Sequence, residues 1–202
     1  MKVGKIDKST HLHHSGLSEE IYDMALVSGE EEGLIDPDGG EVDWLLDMRI
    51  PLLDGSIASR LGNLIADRVR ATGCRQVAGY GFGGNAMVCA TVHADGYPHL
   101  LGGFIRLQRK PHGRRRLIEG PLDRHLPVVL LDDLLNSGAT ALRALHQLRS
   151  EGFQVVGFFT IFEFTWGNGR AKLEKEGLWV DTLMELALNQ KNTGSSDSAV
   201  RV

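Results

Sequence analysis

Short apolar runs alternate with stretches that carry apolar side chains every three or four positions through most of this chain. The runs near 77–80, 100–105, 128–131 and 154–162 predict buried strands. Between them, segments near 85–94 and 139–150 predict helices, the second with Leu142, Leu145 and Leu148 as a core-facing stripe. A helix near 169–176 and a strand near 178–183 close the pattern. Upstream, Ser18 with Glu19 and Glu20 predicts a helix running to about Ser28. Residues 29–43 are acidic and Gly-rich, and Trp44–Asp47 reads as a short strand. Asp54 or Ser56 caps a longer helix with Ile57, Leu61, Leu64, Ile65 and Val69 on one face, and Gly73 ends it. Strands alternating with helices predict an α/β fold, a parallel β-sheet flanked by helices with right-handed crossovers. The expected organisation is a loose leader over 1–17, a single domain over 18–188 and a disordered polar tail over 189–202, without internal repeats.

Composition narrows this picture. At 202 residues and 42% apolar content the chain can bury a full core. It has no apolar run near the roughly 20 residues that span a bilayer, and Met1-Lys2-Val3-Gly4-Lys5 opens no secretory signal. These features predict a cytoplasmic protein with no membrane partner. Cys74 and Cys89 lack metal-ligand spacing and are too few for a disulfide scaffold. His11, His13 and His14 read as a surface stretch rather than a metal site. The net charge of -4 argues against general nucleic-acid binding.

The candidate chemistry starts at residues 128–140. Val128-Val129-Leu130-Leu131 predicts a buried strand, Asp132 and Asp133 stand at its carboxyl end, and Asn136-Ser137-Gly138-Ala139-Thr140 opens a helix. In open α/β sheets ligands sit beyond the carboxyl ends of strands. A helix start there offers unpaired N–H groups that suit a phosphate. Two carboxylates would repel that phosphate and are better suited to sugar hydroxyls or, through water, a cation. Phosphate, sugar and acid side by side point to a phosphorylated ribose.

These residues resemble the phosphoribosyl-pyrophosphate (PRPP) motif of type I phosphoribosyltransferases: a hydrophobic strand, two acids, two apolar residues and a Thr-x-Gly-x-Thr/Ser turn. The resemblance implies that Asp132 and Asp133 hold the ribose hydroxyls and that Asn136, Ser137, Gly138, Ala139 and Thr140 wrap the 5-phosphate. Asn136 departs from the usual Thr but still donates a hydrogen bond.

Residues 103–121 carry Arg106, Arg109, Lys110, His112, Arg114, Arg115 and Arg116 in a Gly- and Pro-broken segment, which predicts a mobile loop over a polyanion. A solvated charge run or a local nucleic-acid patch is the alternative. The segment resembles the loop of orotate phosphoribosyltransferases: Arg106, Lys110, His112 and Gly113 match, and Leu117-Ile118-Glu119-Gly120 follows. Leu107 replaces the first lysine of that pattern. The resemblance implies a flexible catalytic loop in which Lys110 and His112 meet the pyrophosphate, with Arg106 and Arg109 as further PRPP ligands. It also implies action across a homodimer interface. Asp47-Met48-Arg49 and Lys172–Gly177 are similar to the same branch, which covers roughly 40–188 and implies a small N-terminal hood.

Residues 77–91 predict a strand, a glycine turn and a small-residue helix. Gly79, Gly81 and Gly84 spell G-x-G-x-x-G, but no acid follows at the end of the next strand, as a dinucleotide site requires. Gly81, Gly83 and Gly84 are instead expected to let backbone amides approach a pyrophosphate. Some orotate enzymes carry a lysine at the place of Gly83. No P-loop motif occurs.

The family usually has Asp-Arg after the strand that ends here near Phe162, and that arginine helps hold the orotate ring. This chain has Glu163-Phe164-Thr165-Trp166, with no arginine until Arg170. The expected activity is transfer of phosphoribose from PRPP to a nitrogenous base, orotate or a related small-molecule acceptor. Mg²⁺ is expected on PRPP oxygens and water, with no direct protein ligand. A PRPP- or nucleotide-sensing regulator of the same fold is the alternative, favoured by Leu107, whereas Lys110 and His112 favour an enzyme.

Overall fold

In the computed structural model, residues 15–29, 33–35, 40, 42–97, 99–108 and 116–187 are described. Residues 1–14 of the expected leader (1–17) and the whole expected tail (189–202) lie outside them, as does the loop segment 109–115.

Helix α1 (Ser15–Ala25) starts three residues before its predicted cap and gives way to strand β1 (Leu26–Ser28). Leu26 and Val27 continue the apolar pattern of the helix. They pair antiparallel with β2 (Trp44–Leu46), which fixes them as strand, and the two form a small separate sheet. A one-turn helix α2 (Arg49–Leu52) then leads to α3 (Gly55–Ala71). The Asp54 carboxylate caps α3 by accepting from the N–H groups of Ser56 and Ile57, at 2.9 and 3.0 Å.

The main sheet contains β3 (Gln76–Tyr80), β4 (Leu101–Ile105), β5 (Ile118–Glu119), β6 (Val128–Leu135), β7 (Val155–Phe164) and β8 (Trp179–Leu186), in the order β5-β4-β3-β6-β7-β8. All neighbours are parallel except the short edge strand β5, which runs antiparallel to β4. Helices α4 (Gly81–Val92), α5 (Ala139–Ser150) and α6 (Gly169–Lys175) follow β3, β6 and β7.

Alternation along the central strands divides the core between the two faces. Val77, Val129, Leu131, Phe159 and Ile161 pack with α1, α3 and α4 through Ile21, Leu61, Ile65 and Met87. Ala78, Leu130 and Phe158 pack with α5 and α6 through Ala144, Leu145, Leu148 and Leu173. Of the predicted α5 stripe, Leu145 and Leu148 are fully buried and Leu142 is partly buried at its edge. With both faces covered, the ends of the central strands are left for a ligand. No described helix is long and apolar enough to cross a membrane.

Candidate active site

Strand β6 runs four residues beyond the predicted end at Leu131, so both acids lie inside the sheet. Leu134 and Leu135 pair in register with Phe162 and Glu163 of β7 and carry the acids with them. Successive strand residues face opposite ways, which sends Asp133 toward α4 and Asp132 toward α5. Asp132 is 8% exposed, and its Oδ1 accepts from the Asp133 N–H at 3.1 Å. Burial, and then the neighbouring Asp133 charge, push the Asp132 carboxyl well above the usual carboxylate range. Burial raises Asp133 too, against the hydrogen bonds that favour its charge.

Asp133 lies against the first turn of α4, where Gly83 makes the approach possible. A Cβ at Gly83 would sit 2.1 Å from Asp133 Oδ2. The predicted glycine turn is therefore the start of the helix itself, beginning at Gly81 directly after β3. Tyr80, the residue before it, makes no side-chain capping bond, so the leading N–H groups of α4 are uncapped by it. At the end of β6, Gly138 takes φ +75° and starts α5 without a side chain of its own to cap it, while the Ala139 N–H donates to Ser137 Oγ at 3.4 Å. A single cavity of about 350 Å³ joins the two helix starts, with Asp132 and Asp133 between them.

Gly81 and Gly83 line this cavity on one side, and Asn136, Ser137, Gly138, Ala139 and Thr140 on the other. Lys172 Nζ steadies the second group by donating to the Ser137 carbonyl at 2.7 Å. Gly84 stands behind the wall, where a Cβ would meet the Leu131 carbonyl oxygen at 2.6 Å; it seats α4 on β6. Arg106 is not among the lining residues. Its Nη1 lies 3.7 Å from Glu119 Oε1 across the β4–β5 edge, and its buried Nε has no hydrogen-bond partner. Arg109, Lys110 and His112 lie outside the described residues. Among the described residues, no group of three or more His, Cys, Asp or Glu is placed to hold a metal ion.

Three aromatic lining residues are ones that sequence reasoning did not select: Tyr80, Phe82 and Phe164. The Tyr80 hydroxyl is buried without a hydrogen-bond partner. An aromatic residue at the end of a strand reads as core, and only its position beside the glycine turn or the acids signals otherwise.

No family model matches the chain. Its sequence is 31% identical over 150 residues to the orotate phosphoribosyltransferase of Mycobacterium tuberculosis, covering 74% of this chain and 82% of that protein. The chain belongs to the orotate phosphoribosyltransferase family. Orotate phosphoribosyltransferase from Listeria monocytogenes is 33% identical over 100 residues, and there the match spans about half of the relative, 48% of its length. A crystal structure of the M. tuberculosis orotate phosphoribosyltransferase superimposes with a TM-score of 0.72 at 25% identity, covering 84% of this chain and 94% of that one. The structure of the same enzyme in complex with PRPP gives 0.69 at 24% identity, covering 84% and 93%. The α/β architecture is thus that of the orotate phosphoribosyltransferase family.

Within that family this chain departs at the end of β7. Phe164 lines the cavity there, and Arg170, the first arginine beyond it in the sequence, does not. Its Nε donates to both Glu163 oxygens, at 2.9 and 3.0 Å, and its Nη1 donates to the Val180 carbonyl at 2.8 Å. Its Nη2 also donates to Glu163, and hydrogen bonding to Glu163, the largest cause, raises the Arg170 pKa.

Proposed function

We propose that this family member transfers 5-phosphoribosyl from PRPP to a nitrogenous base and releases pyrophosphate. One observation carries the reading: two helix starts whose N-cap residues make no side-chain bond open into one cavity, with a pair of buried carboxylates between them. Each helix start suits a phosphoryl group, and the acids between suit hydroxyls. PRPP has this order of groups, with a 5-phosphate, a ribose and a pyrophosphate.

On this reading the 136–140 turn holds the 5-phosphate and the Gly81–Gly84 turn receives the pyrophosphate. Asp132 and Asp133 accept from the ribose hydroxyls, and their negative charge favours positive character on the ribose ring. The C1–O bond to pyrophosphate breaks with its electron pair leaving on the pyrophosphate oxygen. A bond from the base nitrogen to C1 forms, and the nitrogen's proton passes to solvent. The acids form an all-oxygen pair that fits Mg²⁺ held mainly by substrate oxygens and water. When bound, that ion neutralises charge on the leaving group. Lys110 and His112, with Arg106 and Arg109, are the proposed cations for the pyrophosphate, a role resting on the loop resemblance. The loop motif also supports a homodimer.

The test is pyrophosphate release from PRPP with Mg²⁺ across orotate, uracil, purines, nicotinate and no base. Base-dependent release supports transfer. Protection from unfolding by PRPP without release for any base would replace the enzyme with a PRPP sensor.

A further inference from the structure

Resting on the proposed placement of PRPP, we infer that Lys172 is a positioning residue for the 5-phosphate end of the donor. From behind the cavity wall it turns the Ser137 peptide so that a backbone N–H, and not a carbonyl, faces the phosphate. Its ammonium donates to the Ser137 carbonyl oxygen at 2.7 Å. Ser137 and Gly138 line the cavity, and Lys172 does not. The carbonyl is thus drawn to the outer side of the turn. In a planar trans peptide the following N–H points the opposite way, which aims the Gly138 N–H at the cavity side.

The preceding peptide is turned the same way by the same part of the chain. The Asn136 carbonyl oxygen lies against the turn that starts α6: a Cβ at Gly169 would meet it at 2.5 Å, and one at Gly167 would strike it too. Glycine at both places leaves that oxygen its room, and the Ser137 N–H is directed away from α6. Asn168, between the two glycines, is held at φ +57°, a left-handed conformation that asparagine tolerates better than most residues. Two successive N–H groups turned to one side make an anion-binding concavity, and here the packing of α6 sets its direction. Lys172 adds a second effect. A carbonyl does not neutralise an ammonium, so its whole charge and two further N–H donors remain behind the turn. With Asp132 and Asp133 in the same cavity, that charge offsets their repulsion of a phosphate. The Gly81–Gly84 turn is built by β3 and α4. Loss of Lys172 should therefore fall on one end of the donor only.

The experiment titrates ribose 5-phosphate and pyrophosphate separately, with Mg²⁺, into the full chain by calorimetry. Wild type, Lys172→Met and Lys172→Arg are compared, and pyrophosphate release from PRPP is followed in parallel. Lys172→Met should bind ribose 5-phosphate about tenfold more weakly, the scale of one hydrogen bond to a charged group. Its affinity for pyrophosphate should stay within about twofold of wild type. KM for PRPP should rise by the same factor as the ribose 5-phosphate constant, with kcat within about twofold. Lys172→Arg, which keeps a charged donor, should recover ribose 5-phosphate binding to within about threefold. Lys172 is exposed, and the Tm of Lys172→Met should stay within about 2 °C. Equal losses for the two ligands, no loss for ribose 5-phosphate, or a wild type that does not bind it overturns the inference. Selective loss of ribose 5-phosphate, with no release for any base, would support this inference and remove the transfer step. Base-dependent release with ribose 5-phosphate binding unchanged in Lys172→Met would leave the transfer reading standing and remove the inference.

Discussion

Gly83→Ala offers a direct test of the contact between α4 and β6. The added Cβ would lie 2.1 Å from Asp133 Oδ2, 2.2 Å from its Cγ and 2.7 Å from its Oδ1, where ordinary contact begins near 3.4 Å. The carboxylate must therefore retreat by more than about 1 Å, a displacement that can cost about 100-fold in rate when it misplaces a reacting group. Folding should change far less. Alanine improves a helix position by up to about 1 kcal/mol over glycine, which offsets part of the strain. We expect kcat/KM for PRPP to fall about 100-fold while Tm moves by only a few degrees. In an Asp133→Ala background the obstruction is absent, so the same substitution should raise stability by about 1 kcal/mol. Thermal unfolding and initial-rate pyrophosphate release on the four proteins read both arms. A folded Gly83→Ala enzyme within threefold of wild-type kcat/KM would refute the idea that this glycine exists to admit Asp133.

Asp132→Asn should stabilise the ligand-free protein at pH 7 by roughly 1 kcal/mol, the scale of a poorly compensated buried polar group, while weakening PRPP binding. An acid raised in the folded state holds its proton more tightly there. Wild-type stability should therefore decline relative to the variant as pH rises from the ordinary value of 3.8, measured as a Tm difference that widens toward neutrality. Lys110→Ala should lower kcat by about 100-fold with a much smaller change in KM for PRPP; an unchanged kcat would remove Lys110 from the proposed mechanism. Asp54→Ala, which removes the cap of α3, should cost about 1 kcal/mol and lower Tm by about 2–4 °C, leaving KM for PRPP within twofold.

Much of this arrangement is legible in the chain itself. The apolar runs locate β3, β4, β6 and β7 because buried parallel strands need little beyond branched and aromatic side chains. The acids and the small-residue turn announce that residues 132–140 line one cavity, the proposed ribose and phosphate site, because few other chemistries need them side by side. What escapes the sequence depends on partners far along the chain. Asp132 and Asp133 look like the end of a strand, yet pairing of Leu134 and Leu135 with β7 draws them into the sheet. Gly81 to Gly84 are poor helix formers and read as a turn, yet their lack of side chains lets α4 begin there against β6. Leu26 and Val27 read as helix until β2 claims them. Phe164 is apolar inside an apolar strand, so nothing local separates a cavity wall from a core residue.

The contrast between α3, whose leading N–H groups are met by Asp54, and α4 and α5, whose N-cap residues make no side-chain bond, bears on the lifetime of the protein. On the proposed reading PRPP meets the N–H groups of both helix starts, so a saturating ligand adds stability that grows with the logarithm of its concentration, about 2.7 kcal/mol at 100 times Kd. Chains without it open more often and are degraded sooner. If the proposed donor is the ligand, the cellular abundance of this protein should therefore follow the supply of PRPP.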